Sequence, residues 1–222
     1  MFKDKFYFIG CDITREIRNH REVKIVTFPK EVLKKVVEQA NYDNNTNNTN
    51  NTNDISLNVS SWIDEYNAYA LHTKSYAVLT GKISGITVLD FDSLNSYKTF
   101  CKNVPNFESY FTIKTKNGYH VYCLYNPELK TCNNVLKKLI SVIDIRNDPV
   151  ITKCGLILGF CVLCPPSSYN TLNGDSYSYE FLGGTIKPVP EYLFECLKIL
   201  KAENRTDEDN INSLTFWPHH RF

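Results

Sequence analysis

The sequence predicts an α+β fold, with helices laid against a mostly antiparallel sheet. Three observations point there. From residue 75 onward, runs rich in β-branched and aromatic residues recur at strand length rather than helix length. Two of these runs, 110–115 and 119–125, flank Asn117-Gly118, a strong signal for an antiparallel hairpin. Segments with apolar residues at helical spacing lie before, between and after the strand-like runs.

Taken in order, residues 23–28 form a strand pattern, and Pro29 suits the start of the helix expected over 30–40, where Val32, Leu33, Val36, Val37 and Ala40 share a face. Residues 41–54 are dominated by Asn and Thr. Such a tract has nothing to bury and is expected to be a disordered loop. Residues 61–69, carrying Trp62, suit a short helix. A strand over 76–79 precedes the loop Gly81-Lys82-Ile83-Ser84-Gly85, and 86–92 is a second strand. Ser93 is placed to cap a helix running to about Cys101. After the hairpin, Val135, Leu136, Leu139 and Ile140 mark a helix. Extended chain is expected over 142–146 and 156–163, a rigid loop over 165–168, a strand over 177–181 and a closing helix over 192–200. Residues 1–205 form one expected domain, and 206–222 a polar tail or linker.

Composition narrows the function classes. With 42% of residues hydrophobic, the chain can bury a substantial core. Its 25 Lys and Arg offset 24 Asp and Glu, which argues against a surface coated with positive charge for bulk DNA binding. Any attraction to nucleic acid then comes from a local cluster. The start of the chain lacks the apolar stretch of a secretory signal, and no apolar run is long enough to span a membrane. The expected location is therefore intracellular, with the eight cysteines as free thiols. Cys161 and Cys164 have zinc-like spacing. They lie in an apolar strand pattern, however, and a second well-spaced pair is missing.

Four segments carry candidate chemistry. Asp90 and Asp92 close an apolar strand pattern, and residues i and i+2 of a strand share a face. Two carboxylates there repel unless one is protonated or a cation joins them, and a hard divalent ion suits such a pair. Asp144 and Arg146 repeat the spacing, and a guanidinium chelates phosphate through two parallel hydrogen bonds. His120 follows the hairpin turn, with Lys114 and Lys116 nearby in sequence. The 81–85 loop lacks P-loop spacing, yet its two glycines permit close approach of a ligand to Lys82 and Ser84. Each has an ordinary alternative: solvated acids, a local ion pair, a structural histidine, a plain turn.

Together the segments resemble a known family. The run from Thr80 through Asp92 looks like the first motif of the primase-polymerase branch of the archaeo-eukaryotic primase superfamily. The run from Thr112 through Tyr122, built around Gly118-Tyr119-His120, looks like the second, and Ile143-Asp144-Ile145-Arg146 like the third. Pro165-Pro166-Ser167, followed by Gly174 and Tyr177, resembles the family's proline-serine loop. The resemblance spans roughly residues 60 to 200, with the segments in family order. Two departures are the Asn117-Gly118 pair, where the family often has two glycines, and an apparent insertion at 149–154.

This resemblance implies an RRM-like, mostly antiparallel sheet carrying the catalytic acids, packed with a smaller N-terminal α/β lobe. It implies a template-dependent DNA primase or polymerase using two Mg²⁺ or Mn²⁺ ions. Asp90, Asp92 and Asp144 would hold the metals, while His120, Arg146, Lys82 and Ser84 would hold the nucleotide. The implied partners are a single-stranded DNA template, dNTP or NTP, and a helicase domain or subunit following this chain, with no membrane. Two competitors remain: a catalytically inactive single-strand-binding module, and another phosphotransfer enzyme using the same acids.

Overall fold

A computed structural model describes residues 7–36, 38, 75–136, 142–153 and 157–208. The expected Asn/Thr loop, the 61–69 helix and the tail beyond 208 lie outside them, as does most of the helix expected at Val135–Ile140.

The fold is mixed α+β with mostly antiparallel sheets, as the sequence predicts. One sheet has four strands in the order β10-β3-β1-β2. Its members are β1 (Phe8–Arg18), β2 (Arg21–Thr27), β3 (Ser75–Leu79) and β10 (Cys161–Cys164). The other has five, in the order β13-β5-β6-β4-β7. It comprises β4 (Ile86–Phe91), β5 (Phe111–Lys114), β6 (Tyr119–Leu124), β7 (Ile143–Arg146) and β13 (Glu180–Gly183). Two small hairpins complete the strands: β8 (Val150–Ile151) with β9 (Ile157–Leu158), and β11 (Ser168–Asn170) with β12 (Ser176–Ser178). Residues 30–36 are helical and form α1. The other helices are α2 (Leu94–Cys101) and α3 (Glu191–Glu208), which continues past the boundary expected at 205.

Strand β1, the longest, is the largest addition to the sequence expectations. Asn19 and His20 both have positive φ, 49° and 62°, and Arg18 pairs with Arg21 around them. This is the left-handed two-residue turn that matches the twist of a tight hairpin. Asn19-His20 carries no glycine, so the sequence gives no strong hairpin signal there. The runs expected at 156–163 and 177–181 are each broken, between β9 and β10 and between β12 and β13. The apparent insertion supplies β8, which pairs with β9.

Two cores hold the layers. Leu89 and Phe91 of β4, Val121 and Cys123 of β6, and Ile143 and Ile145 of β7 pack on Phe100, Phe107, Leu193 and Cys196 on the helical side. The opposite face contributes Ile86, Val88, Tyr122, Phe111 and Ile113 to a core shared with the four-stranded sheet and α1. Cys161 and Cys164 lie on β10, and three-residue spacing turns them to opposite faces. No helix among the described residues is long and apolar enough to cross a membrane.

Candidate active site

Alternation along β4 sets up the site. Leu89 and Phe91 point into the helical core, so Asp90 points to the other face, between the sheets. Phe91 is fully buried and meets Tyr97, Phe100 and Phe107 at centroid distances of 5.6, 5.5 and 6.0 Å. Burying a ring this completely is worth about 3 kcal/mol, which fixes the backbone between the two acids. Ser93 then ends the acidic segment by accepting the Ser96 N–H at 3.1 Å, capping α2.

Register brings the distant motifs together. Asp90 lies directly opposite His120 on β6 and directly opposite Asp144 on β7. Histidine, aspartate and aspartate therefore form one row across three neighbouring strands. His120 Nε2 is 3.5 Å from Asp90 Oδ1. Arg146 extends the row: its Nη2 is 2.5 Å from Asp144 Oδ2 and 3.6 Å from Asp90 Oδ2. Its Nη1 donates to Asn133 Oδ1 at 2.8 Å, and the Asn134 N–H donates to Asp144 Oδ1 at 2.7 Å.

Gly118 explains how the hairpin reaches the acids. A Cβ there would lie 1.7 Å from the Phe91 carbonyl oxygen, so only glycine lets the β5–β6 turn press against the end of β4. The sequence marks Gly118 as a turn residue. The structure gives it a second task, close packing beside Asp92.

The charges are poised. Asp92 is exposed, yet its surroundings on the protein side hold it at about 6. Lost hydration acts first, then the Asp90 and Asp144 carboxylates, partly offset by Arg146 and Lys24. Burial also raises Asp144, against Arg146 and the Asn134 N–H. Burial lowers His120, against the pull of Asp90, so the ring is neutral at pH 7. His120 Nδ1 makes no well-formed hydrogen bond among the described residues, though the Leu163 carbonyl lies near enough to favour its protonated form. Crowded carboxylates with raised pKa are the donor set a hard divalent cation suits. Here a guanidinium is shared by two of them, and among the described residues no group of three or more metal-ligating side chains is placed to hold an ion.

Lys82 and Ser84 are not brought to this row. Their loop joins β3 to β4 at the opposite end of β4. The four strand steps from Ile86 to Asp90 span about 13 Å. Lys82 N–H donates to Asp148 Oδ1 at 2.9 Å, and Ser84 Oγ accepts the Tyr7 N–H at 3.3 Å. Lys114 reaches Glu180, 3.8 Å away, on exposed surface. Lys116 Nζ lies 4.5 Å from the centre of the Tyr177 ring.

Residues absent from the sequence expectations face the acids instead. Lys24 of β2 donates to Tyr179 Oη at 2.6 Å, and Tyr179 lies 5.9 Å from His120, ring to ring. The field of Asp90 and Asp92 reaches Lys24. Arg15 of β1 lies 4.3 Å over the Tyr169 ring. Only the missed β1–β2 hairpin could have pointed to this pair. No protein family and no curated protein matches the chain.

Proposed function

We propose that this chain is the catalytic domain of a template-dependent DNA primase or polymerase. It transfers nucleotidyl units from dNTP or NTP to a 3′-hydroxyl on single-stranded DNA. The observation that carries this reading is the row His120–Asp90–Asp144, set by strand register, with Asp92 two residues on. Three motifs far apart in sequence meet at one place. The antiparallel order β5-β6-β4-β7, with α2 between β4 and β5, also agrees with a split βαβ sheet of RRM type. The four-stranded sheet takes the place of the smaller N-terminal lobe.

In this mechanism Asp90, Asp92 and Asp144 would hold two divalent ions, Mg²⁺ or Mn²⁺. When bound, such ions neutralise charge on the attacking and leaving oxygens of an in-line displacement. The chain's own residues do the positioning. Arg146 turns its guanidinium from Asp90 and Asp144 to the triphosphate, where its planar donors match phosphate oxygens. Neutral His120 donates a hydrogen bond to a phosphate oxygen. The Phe91 and Gly118 packing holds the carboxylates in place throughout, so the site is organised before substrate arrives.

One observation favours a second reading, a non-catalytic single-strand-binding module. Arg146 already pairs with two of the acids, leaving part of the row internally neutralised. Primer extension separates the two. On a labelled primer and single-stranded template with Mn²⁺ or Mg²⁺ and dNTPs, the wild type extends and the Asp90→Ala/Asp92→Ala double variant does not. Extension by neither protein, with single-strand binding intact in both, would overturn the polymerase reading in favour of the binding module.

A further inference from the structure

The four-stranded sheet presents an arrangement that its own contacts do not explain. Arg15 and Lys24 are direct cross-strand partners on β1 and β2, so both side chains stand on the same face. Like charges in that position repel. Arg15 is partly relieved by Glu22, 3.4 Å away. Lys24 makes no ion pair among the described residues. Its one hydrogen bond goes to a neutral phenol, Tyr179 Oη, and its Nζ lies 5.4 and 5.7 Å from the ring centres of Tyr179 and Tyr169. The residue as a whole is nonetheless exposed. Partial loss of water lowers its pKa to about 8, with Arg15 pushing the same way against Asp90 and Asp92.

Two charged walls therefore face each other. Asp90, Asp92 and Asp144 stand on the five-stranded sheet, Arg15 and Lys24 on the four-stranded sheet, with Tyr179 between them. The acids are within electrostatic reach of Lys24, but no salt bridge closes the gap. A fold that needed Lys24 only for stability would have let it meet an acid. Held apart from the acids, Lys24 suits an anionic ligand. Tyr169 and Tyr179 are buried, 9% and 5% exposed, so they do not offer open faces for base stacking. That favours a compact phosphate chain over a nucleobase.

We infer that Lys24 and Arg15, positioned by Tyr179 and Tyr169, form the binding site for the terminal phosphates of the incoming nucleoside triphosphate. This assignment rests on the polymerase reading and replaces Lys82 and Ser84, which lie at the far end of β4, as the lysine-bearing part of the nucleotide site. Lys24 is a binding residue here, placed to contact phosphate rather than the acids.

Calorimetric titration of the full chain with inorganic tripolyphosphate in EDTA tests it without requiring catalysis. Lys24→Met should weaken binding about tenfold or more, the scale of one charge-assisted hydrogen bond. Lys24→Arg should stay within about threefold of wild type, because charge and donors persist. Lys24→Met should also melt close to wild type, since removal of a poorly hydrated charge offsets the lost hydrogen bond to Tyr179 Oη and the lost attraction of Asp90. A fluorescent single-stranded oligonucleotide should bind wild type and Lys24→Met alike. Wild-type affinity for tripolyphosphate in Lys24→Met overturns the inference, and so does a marked loss of thermal stability. Loss of oligonucleotide binding alone would assign the lysine to strand phosphates and equally overturn it. Primer extension by wild type with tripolyphosphate binding indifferent to Lys24 would sink this inference and leave the polymerase reading standing. Lys24-dependent binding without extension would keep a phosphate site at Lys24 but sink the polymerase reading, and with it the assignment of that site to an incoming nucleotide.

Discussion

The two ends of β4 solve opposite problems with similar residue types. At the C-terminal end, Asp90 and Asp92 are left crowded among other charges, and Asp92 is held near 6. At the N-terminal end a set of buried polar groups answer one another. Thr80 Oγ1 donates toward the Asn147 and Gly159 carbonyls at 2.8 and 2.7 Å. Thr87 Oγ1 donates to Asn147 Oδ1 at 2.8 Å, and Asn147 Nδ2 donates to the Asn126 and Leu129 carbonyls at 3.0 and 2.6 Å. Asp148 takes the Lys82 N–H and the Tyr125 hydroxyl. Asn147, wholly buried, is the hub. Polar groups that satisfy one another hold a fold together, whereas charges left in tension are a candidate for chemistry.

The largest expected effects lie at these ends and differ in kind. Asp90→Ala/Asp92→Ala should lower primer extension by on the order of 10³-fold or more, the scale of removing charge stabilisation from a transition state. The variant should remain folded, since it relieves repulsion. Asn147→Ala should do the opposite. It strands the buried Leu129 carbonyl and the Thr87 hydroxyl proton, costing about 3 kcal/mol of stability. Urea unfolding should show the lowered midpoint, while extension per folded molecule at low temperature stays near wild type. A stable Asn147→Ala protein with no activity would erase the contrast.

Much of this contrast was legible in the sequence, for identifiable reasons. The Asp-x-Asp spacing at a strand end, the Ser93 cap and the β5–β6 hairpin depend on neighbours within a few residues, where periodicity and turn chemistry carry the information. The meeting of Asp90, His120 and Asp144 depends on register between strands far apart in the chain. Sequence order made it an expectation only through the family resemblance. Arg15 and Lys24 were invisible because β1 was not recognised. Its polar alternation after Cys11 is that of a half-exposed strand, and Asn19-His20 adopts positive φ without glycine. The role of Gly118 was legible only in part, since what a Cβ would strike belongs to another strand. Lys82 and Ser84 stand apart from the acid row for a simpler reason: the strand that links their loop to the acids also separates them.

A smaller effect sharpens the claim that the acid end is under tension. An acid whose folded pKa is raised supports the fold only while protonated. That support is complete below its ordinary 3.8 and is lost as pH rises through about 6. Asp92→Asn mimics the protonated form. It should therefore melt higher than wild type at pH 7.5 in EDTA, with the difference shrinking as pH falls through 6 and gone near 4. Asp92 is exposed, so solvent screening limits the gain to about 2 °C. His120 and Asp144 titrate in both proteins, so the difference between them isolates Asp92. A variant less stable than wild type at pH 7.5 would mean the carboxylate is already compensated.

The smallest expected effect is the most direct check on the quiet end. Lys82 contributes only its backbone N–H to Asp148, which survives truncation of the side chain, and Ser84 Oγ accepts a single long bond from Tyr7. The Lys82→Ala/Ser84→Ala double variant should lose no more than about 0.5 kcal/mol, the range of surface substitutions away from buried networks. Its KM for dNTP in primer extension should stay within about twofold of wild type, because the loop is separated from the acid row by the length of β4. A tenfold rise in KM with kcat unchanged would mean that the loop binds nucleotide after all. The two ends of β4 would then contact one ligand, and the division between a structural end and a chemical end would fail.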